Sequence, residues 1–166
     1  MSLTTLVTFV EVFSVDINGN KSTKHLLQNG KREANKDVKD SSNTILFNGK
    51  NYHYLPFIYQ GTTINKSGDN IESNLIMGNH PLSMAKAQEA VVNKYFVEVN
   101  VCIAANDDID NITNTLTTDT WLASSLSYDP EVVEVLLSSA IDSVGGNIPS
   151  LVLTTEVVGK LPVTSD

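Results

Sequence analysis

The sequence predicts a mainly β fold, a single β-barrel or sandwich-like domain of about eight to ten strands with one short helix. Three observations predict it. The chain holds 17 Asn, 16 Ser and 15 Thr among 166 residues, and these side chains compete for backbone hydrogen bonds, so helix interiors are disfavoured. At least eight short segments alternate apolar and polar residues, or run apolar, between Gly, Asn, Asp and Pro punctuation. Helix start signals precede only one stretch.

Residues 3–17 are a long strand in which Phe9, Glu11, Phe13, Val15 and Ile17 share one face and Val10, Val12, Ser14 and Asp16 the other. Both faces are mostly apolar, as in a barrel wall or between layers. Asn18-Gly19-Asn20 is a turn, and residues 21–28 return as the hairpin partner. Residues 29–43 are polar, with Ala34 and Val38 their only apolar members, and are expected to form a solvated loop. Thr44-Ile-Leu-Phe47, Asn48-Gly49 and residues 50–55 form the clearest hairpin, because Asn-Gly suits a two-residue type I′ turn.

Pro56 bends the path, residues 57–63 continue as strand, and residues 71–77 alternate as another. Asn79 is a cap candidate and Pro81 suits a first helical turn, so the spacing predicts a helix over 82–93. Leu82, Met84, Ala85, Ala87, Ala90 and Val91 are its apolar stripe. Residues 95–105 read as a buried strand, 106–111 as an acidic loop, and 117–126 as a strand containing Trp121. Asp129-Pro130 turns into a strand over 131–138, Gly145-Gly146-Asn147 turns again, and 148–158 read as a final strand.

The formal net charge is −8, and it is divided unevenly. Residues 1–94 carry ten Lys/Arg and eight Asp/Glu, whereas residues 95–166 carry one Lys/Arg and eleven Asp/Glu. A sequence-independent nucleic-acid binder needs a basic face, so specific nucleic acid is not an expected partner. No stretch approaches the roughly 18 apolar residues of a spanning helix, so no membrane partner is expected either. The first residues lack a basic leader and a small-residue cleavage site, so no signal peptide is expected.

The search for chemistry returns bland readings. Cys102, the single cysteine, lies within the apolar run 99–105 and reads as a small buried hydrophobe. His25, His53 and His80 show no metal-ligand spacing, and no nucleophile elbow, phosphate loop or dinucleotide fingerprint is present. Asp107-Asp108-Ile109-Asp110 offers oxygens for a hard cation but lacks the glycine and terminal glutamate of an EF-hand loop, so a solvated acidic loop is the preferred reading. Tyr52, Tyr54, Phe57 and Tyr59 read first as cross-strand pairs in a core. Tyr52, Tyr54, Tyr59 and Trp121 form a stacking platform for sugars only if they are exposed together, which is the alternative of a carbohydrate-binding or adhesive module.

Several blocks in order carry a family resemblance. They are Val10-Glu11-Val12-Phe13; the hairpin 44–57 with Tyr52 to Pro56; residues 71–79 ending in Gly78-Asn79; residues 133–142 with Ser139-Ala-Ile-Asp142; and Pro149 and Pro162 beyond. This arrangement resembles tail-tip and baseplate-hub proteins of tailed bacteriophages, and is similar to the minor tail protein L type and its short relatives. The resemblance implies a structural virion protein located in the tail, made in the host cytoplasm, in the hub or adaptor ring between tail tube and tail tip or baseplate. It implies other tail proteins (tube, hub, tip) as partners, a homo-oligomeric ring of three or six chains, and DNA passing through the channel without specific binding. No enzymatic activity and no cofactor are expected. The longer relatives continue into a cysteine-bearing iron–sulfur segment, and with one cysteine this chain does not carry that cofactor over. Within the polar loop, Lys31, Arg32, Lys36, Asp37, Lys39 and Asp40 are the expected partner-contact residues.

Overall fold

The computed structural model describes residues 4–30, 43–64, 71–105 and 108–139. Among these are nine strands: β1 (Thr4–Val15), β2 (Lys21–Gln28), β3 (Thr44–Phe47), β4 (Lys50–Tyr54), β5 (Phe57–Ile64), β6 (Ile71–Gly78), β7 (Phe96–Ala105), β8 (Asp108–Tyr128) and β9 (Val132–Ser138). One helix, α1 (Pro81–Val92), lies between β6 and β7. The described residues are therefore mainly β with a single short helix, as the composition and alternation predict. All nine strands join one mixed sheet in the order β3-β4-β2-β1-β7-β8-β9-β6-β5, in which only β2 and β4 run parallel.

Turn chemistry explains the hairpins. At the β1–β2 turn, Asp16 Oδ1 accepts from the backbone N–H of Asn18 and of Asn20, both at 2.8 Å, and Gly19 takes the positive φ (84°) that the turn requires. In the β3–β4 turn Asn48 and Gly49 both have positive φ, 49° and 74°, which is the type I′ signature.

The sheet carries a core on each face, because β1 and β7 are apolar on both. Val10 and Val12 of β1 face the α1 side with Val97 and Val99 of β7, and there they meet Leu27, Leu55, Phe57, Leu75, Met77, Trp121, Val133 and Leu137. Val7 and Phe9 face the other way with Cys102 and Ala104, and the β3–β4 hairpin covers them with Ile45, Phe47 and Tyr52. Phe9 stacks on Phe47 with ring centroids 4.2 Å apart, and the edge of Tyr52 meets Phe9 at 5.1 Å.

Three sequence readings are corrected in detail. Helix α1 is capped by His80, whose Nδ1 accepts from the Leu82 N–H at 3.2 Å, and not by Asn79. Asn79 instead donates its backbone N–H to Glu131 O at 2.8 Å, which ties the helix start to the β8–β9 turn. The buried stripe of α1 is Ser83, Ala87 and Ala90, with Met84 and Val91 packed beside it, whereas Leu82 and Ala85 are exposed. Small side chains on that stripe let the helix sit close to the sheet. Strand β8 begins at Asp108 and runs for 21 residues, so 108–111 are strand and not loop. Thr113, Thr115, Thr117, Thr118 and Thr120 are polar but β-branched, and the second property decides the backbone.

Of the stretch 29–43, residues 29, 30 and 43 are described, and they are fastened to the sheet. Asn29 Oδ1 accepts from Thr8 N–H at 2.8 Å, its amide donates to Phe57 O, and Gln28 donates to Asn43 O at 3.1 Å. Gly30 is buried against Val7, where an added Cβ would come within 3.0 Å of a valine methyl. The expected strand over 148–158 lies outside the described residues.

Cys102 is fully buried. Burial pushes its thiol up, against the lowering effect of the Thr115 hydroxyl 3.5 Å away. Thiol labelling is therefore expected to be slow in the folded chain and fast in denaturant. Equal rates in the two states would show that the site opens freely.

Candidate functional site

Two polar constellations stand out on this frame, one structural and one open to solvent. The structural one surrounds Glu11. A carboxylate on a β1 position flanked by Val10 and Val12 must be paired if it is buried, and Glu11 is only 2% exposed. Lys50 of β4 donates to its Oε1 at 2.6 Å, Thr23 of β2 donates to the same oxygen at 2.6 Å, and Lys21 reaches Oε2 at 3.0 Å. Burial pushes the Glu11 carboxyl up, but these hydrogen bonds and the Lys21 charge outweigh it and hold the group below its ordinary value. Lys21 also reaches Glu98, the residue opposite Glu11 on β7, at 3.4 Å and lies over the Phe13 ring. Burial, with Glu11, Glu98 and Cys102 nearby, pushes the Tyr52 phenol up. This network fastens the β3–β4 hairpin and β2 to β1.

The second constellation lies between β2, β4 and the first two turns of α1. A groove of about 560 Å³ is lined by Thr23, Lys24, His25, Leu26, Leu27, His53, Tyr54, Leu55, Leu82 and Lys86. Its floor is apolar, since Leu27 and Leu55 belong to the main core. Lys24, His25, His53 and Lys86 line it, and no carboxylate does. A register shift supplies two of the four: Val12 pairs with His25 but Phe13 pairs with Thr23, so Lys24 and His25 occupy a bulge that turns both toward the groove.

His25 is held at both ring nitrogens. Lys86 Nζ lies 3.0 Å from Nδ1 and Glu89 Oε2 lies 2.9 Å from Nε2. A lysine ammonium only donates, so Nδ1 accepts and Nε2–H donates to the carboxylate, which assigns one neutral tautomer. That arrangement leaves Glu89 engaged with His25. Lys24 lies 5.8 Å from the Tyr95 ring centroid, and no carboxylate pairs with Lys24 or Lys86 among the described residues.

The sequence-selected residues fall as follows. Lys31, Arg32, Lys36, Asp37, Lys39 and Asp40 lie outside the described residues, and so does Asp107. Asp108 and Asp110 are strand residues of β8. Among the described residues no group of three or more His, Cys, Asp or Glu is placed to hold a metal ion, and no helix is long and apolar enough to cross a membrane. Tyr52 and Trp121 are 2% and 4% exposed and belong to cores on opposite faces of the sheet. Trp121 Nε1 donates to Tyr59 OH at 3.0 Å. The four rings thus share no exposed platform.

Sequence reasoning missed the groove because its members come from residues 23–27, 53–55 and 82–86, which no local spacing connects. Glu11 did leave a signal, as the one charge inside the apolar run from Val7 to Phe13. Compared with models of known protein families and with curated proteins, the chain matches none.

Proposed function

We propose that this chain is a structural protein of a phage tail, forming part of the hub or adaptor ring between tail tube and tail tip or baseplate, and that it acts by assembly and not by turnover. The observation that carries the reading is the open outline of the sheet. Among the described residues, β9 pairs with β8 only from Leu122 to Tyr128, so the same edge of β8 from Asp108 to Trp121 has no strand partner. The outer edge of β5 is open in the same sense. Near these edges Leu116 and Ile58 are exposed, and so is Leu46 on the terminal strand β3.

An unpaired strand edge is a template for another chain, and soluble monomers usually blunt or cover such edges. A subunit that meets neighbours on several sides has a use for them. The order of blocks shared with tail-hub proteins adds the tail to this reading.

The test is whether the gene lies among tail-tube, tape-measure and tip genes, followed by composition and imaging of the particles that those genes encode. The chain is expected at the tail end in a copy number that fits a ring, visible by electron microscopy of particles carrying a tagged copy. Particles that are complete and infectious without the chain would overturn the proposal.

A further inference from the structure

We infer that the edge of β8 left free among the described residues is covered by the chain's own residues 140–153, which run on from β9. The first observation is where β9 ends and which way it points. Its last residue, Ser138, sits opposite Leu122 of β8 on one side and opposite Glu72 of β6 on the other. Ser139 N–H still donates to Ile71 O at 3.2 Å. The next β8 residue is Trp121, where the free edge begins, and β9 runs antiparallel to β8. The chain therefore leaves β9 already aligned with this edge and heading toward Asp108, and a continuation needs no connecting loop.

The second observation is what the edge offers. Ile71 is exposed at its near end and Leu116 at its middle. Toward its far end a groove of about 580 Å³ separates it from the β3–β4 hairpin, with Leu46 and Phe47 on one wall and Ile112 to Thr115 on the other. Leu46 is exposed there. An unpaired edge flanked by exposed apolar side chains suits a strand that brings apolar side chains of its own.

Composition selects the occupant. Outside the described residues, 31–42 hold only Ala34 and Val38 as apolar members, 65–70 hold none, and 1–3 and 106–107 are too short to pair along the edge. Residues 140–153 match the edge in length and include Ile141, Val144, Ile148, Leu151, Val152 and Leu153. Val133, Val135 and Leu137 belong to the main core, and the same alternation places Ile141 on the core side and Asp142 on the other. In the register of Ser138 with Leu122, Gly145 and Gly146 fall opposite Thr115 and Asn114, between two register shifts of β8 against β7. Glycines accommodate such an irregularity, and Pro149 is tolerated on an outermost strand. A segment tethered at Ser139 is also present at the edge at roughly millimolar effective concentration, which favours it over a free second copy. The inference stands without the tail reading. Within that reading, the outer edges of β5 and β3 remain for neighbours.

The experiment is hydrogen exchange on the full chain, read at the β8 amides between Asp108 and Trp121 that face away from β7. They are expected to exchange at least about tenfold more slowly than unpaired amides at every protein concentration. Val144→Pro removes a ladder donor. It is expected to speed the outward amides from Leu116 to Trp121 about tenfold or more, while amides of β1 and β2 keep their rates. A second measurement fixes the source of the strand. Thr118→Cys with Asp142→Cys is expected to form a disulfide on mild oxidation. In a mixture of isotope-labelled and unlabelled chains, the linked peptides are expected to carry one label state only. Cys102 is buried and does not compete.

Outward amides that exchange like unpaired ones, protection that survives Val144→Pro, or cysteines that never link would each overturn the inference. Protection that appears only as protein concentration rises, or linked peptides of mixed label, would overturn it by showing that a second copy covers the edge.

Discussion

Replacing Lys21 and Lys50 together by methionine is expected to lower stability by about 3–5 kcal/mol at neutral pH, the usual effect of leaving a buried charge without its partners. The Glu11 side chain is 3% exposed, while those of Lys21 and Lys50 are 35% and 40% exposed. That difference decides which partner is costly to remove. Without the lysines the carboxylate keeps only Thr23 and cannot reach water. Without the carboxylate the lysines are largely solvated already, so Glu11→Gln is expected to cost only about 1–3 kcal/mol for the lost charged hydrogen bonds.

The pH dependence separates the two. In the wild type the Glu11 carboxyl is held below its ordinary 4.5, so its contribution is complete above that value and is lost as pH falls through the lower folded value. In the double variant the lowering partners are gone and burial remains, so the folded value rises above the unfolded one. The deficit against wild type should then shrink on acidification, as the buried carboxylate takes up a proton. Urea melts of both chains at about pH 7 and about pH 4 check this. A deficit that is equal at both values would mean that Glu11 reaches solvent in the folded state.

Much of the frame is legible because it depends on local chemistry. Asn18-Gly19 and Asn48-Gly49 name their turns whatever the rest of the chain does. The apolar character of both sides of residues 7–13 announces a strand covered on two faces, and the structure supplies a core for each. Strand β8 shows where local reasoning fails. Its first half is rich in Asn, Thr and Asp, which reads as loop by polarity, yet pairing with β7 at Asp108 and, through register shifts, from Ile112 onward holds it extended. Helix α1 is legible as a helix, but which residues face inward is not. Leu82 is the larger hydrophobe and stays outside, while Ser83 is buried.

The two constellations differ in the same way. A lone glutamate in an apolar strand states a need, and only the fold reveals that Lys21, Thr23 and Lys50 meet it. The groove states nothing in advance. Lys24, His25, His53 and Lys86 are unremarkable residues on two hairpins and a helix, and a bulge opposite Val12 and Phe13 together with the placement of α1 is what brings them to one surface. Sites built by tertiary approach carry no sequence spacing, so charge and burial in the folded chain are the only way to find them.

Phe9→Ala is expected to destabilise the chain by about 3–5 kcal/mol, in the range of other fully buried aromatic truncations. Phe9 has no exposed surface, stacks on Phe47 with an interplanar angle of 8°, and receives the edge of Tyr52. Its loss should be felt unevenly. The β3–β4 hairpin joins the sheet by only two parallel pairings, Leu27 with His53 and Gln28 with Tyr54, with the bond of Leu55 N–H to Gln28 O beside them. Its further attachments include the Gln28 amide to Asn43 O, the packing of Ile45 and the aromatic cluster, and the Lys50–Glu11 pair. Amides of β3 and β4 should therefore lose more protection in hydrogen exchange than amides of β1 and β7, which remain paired along their length. Adding Lys50→Met to Phe9→Ala should cost less than the sum of the two changes, because a hairpin already released has no second attachment to lose. Strict additivity with uniform loss of protection across all nine strands would show that the hairpin opens only when the whole sheet does.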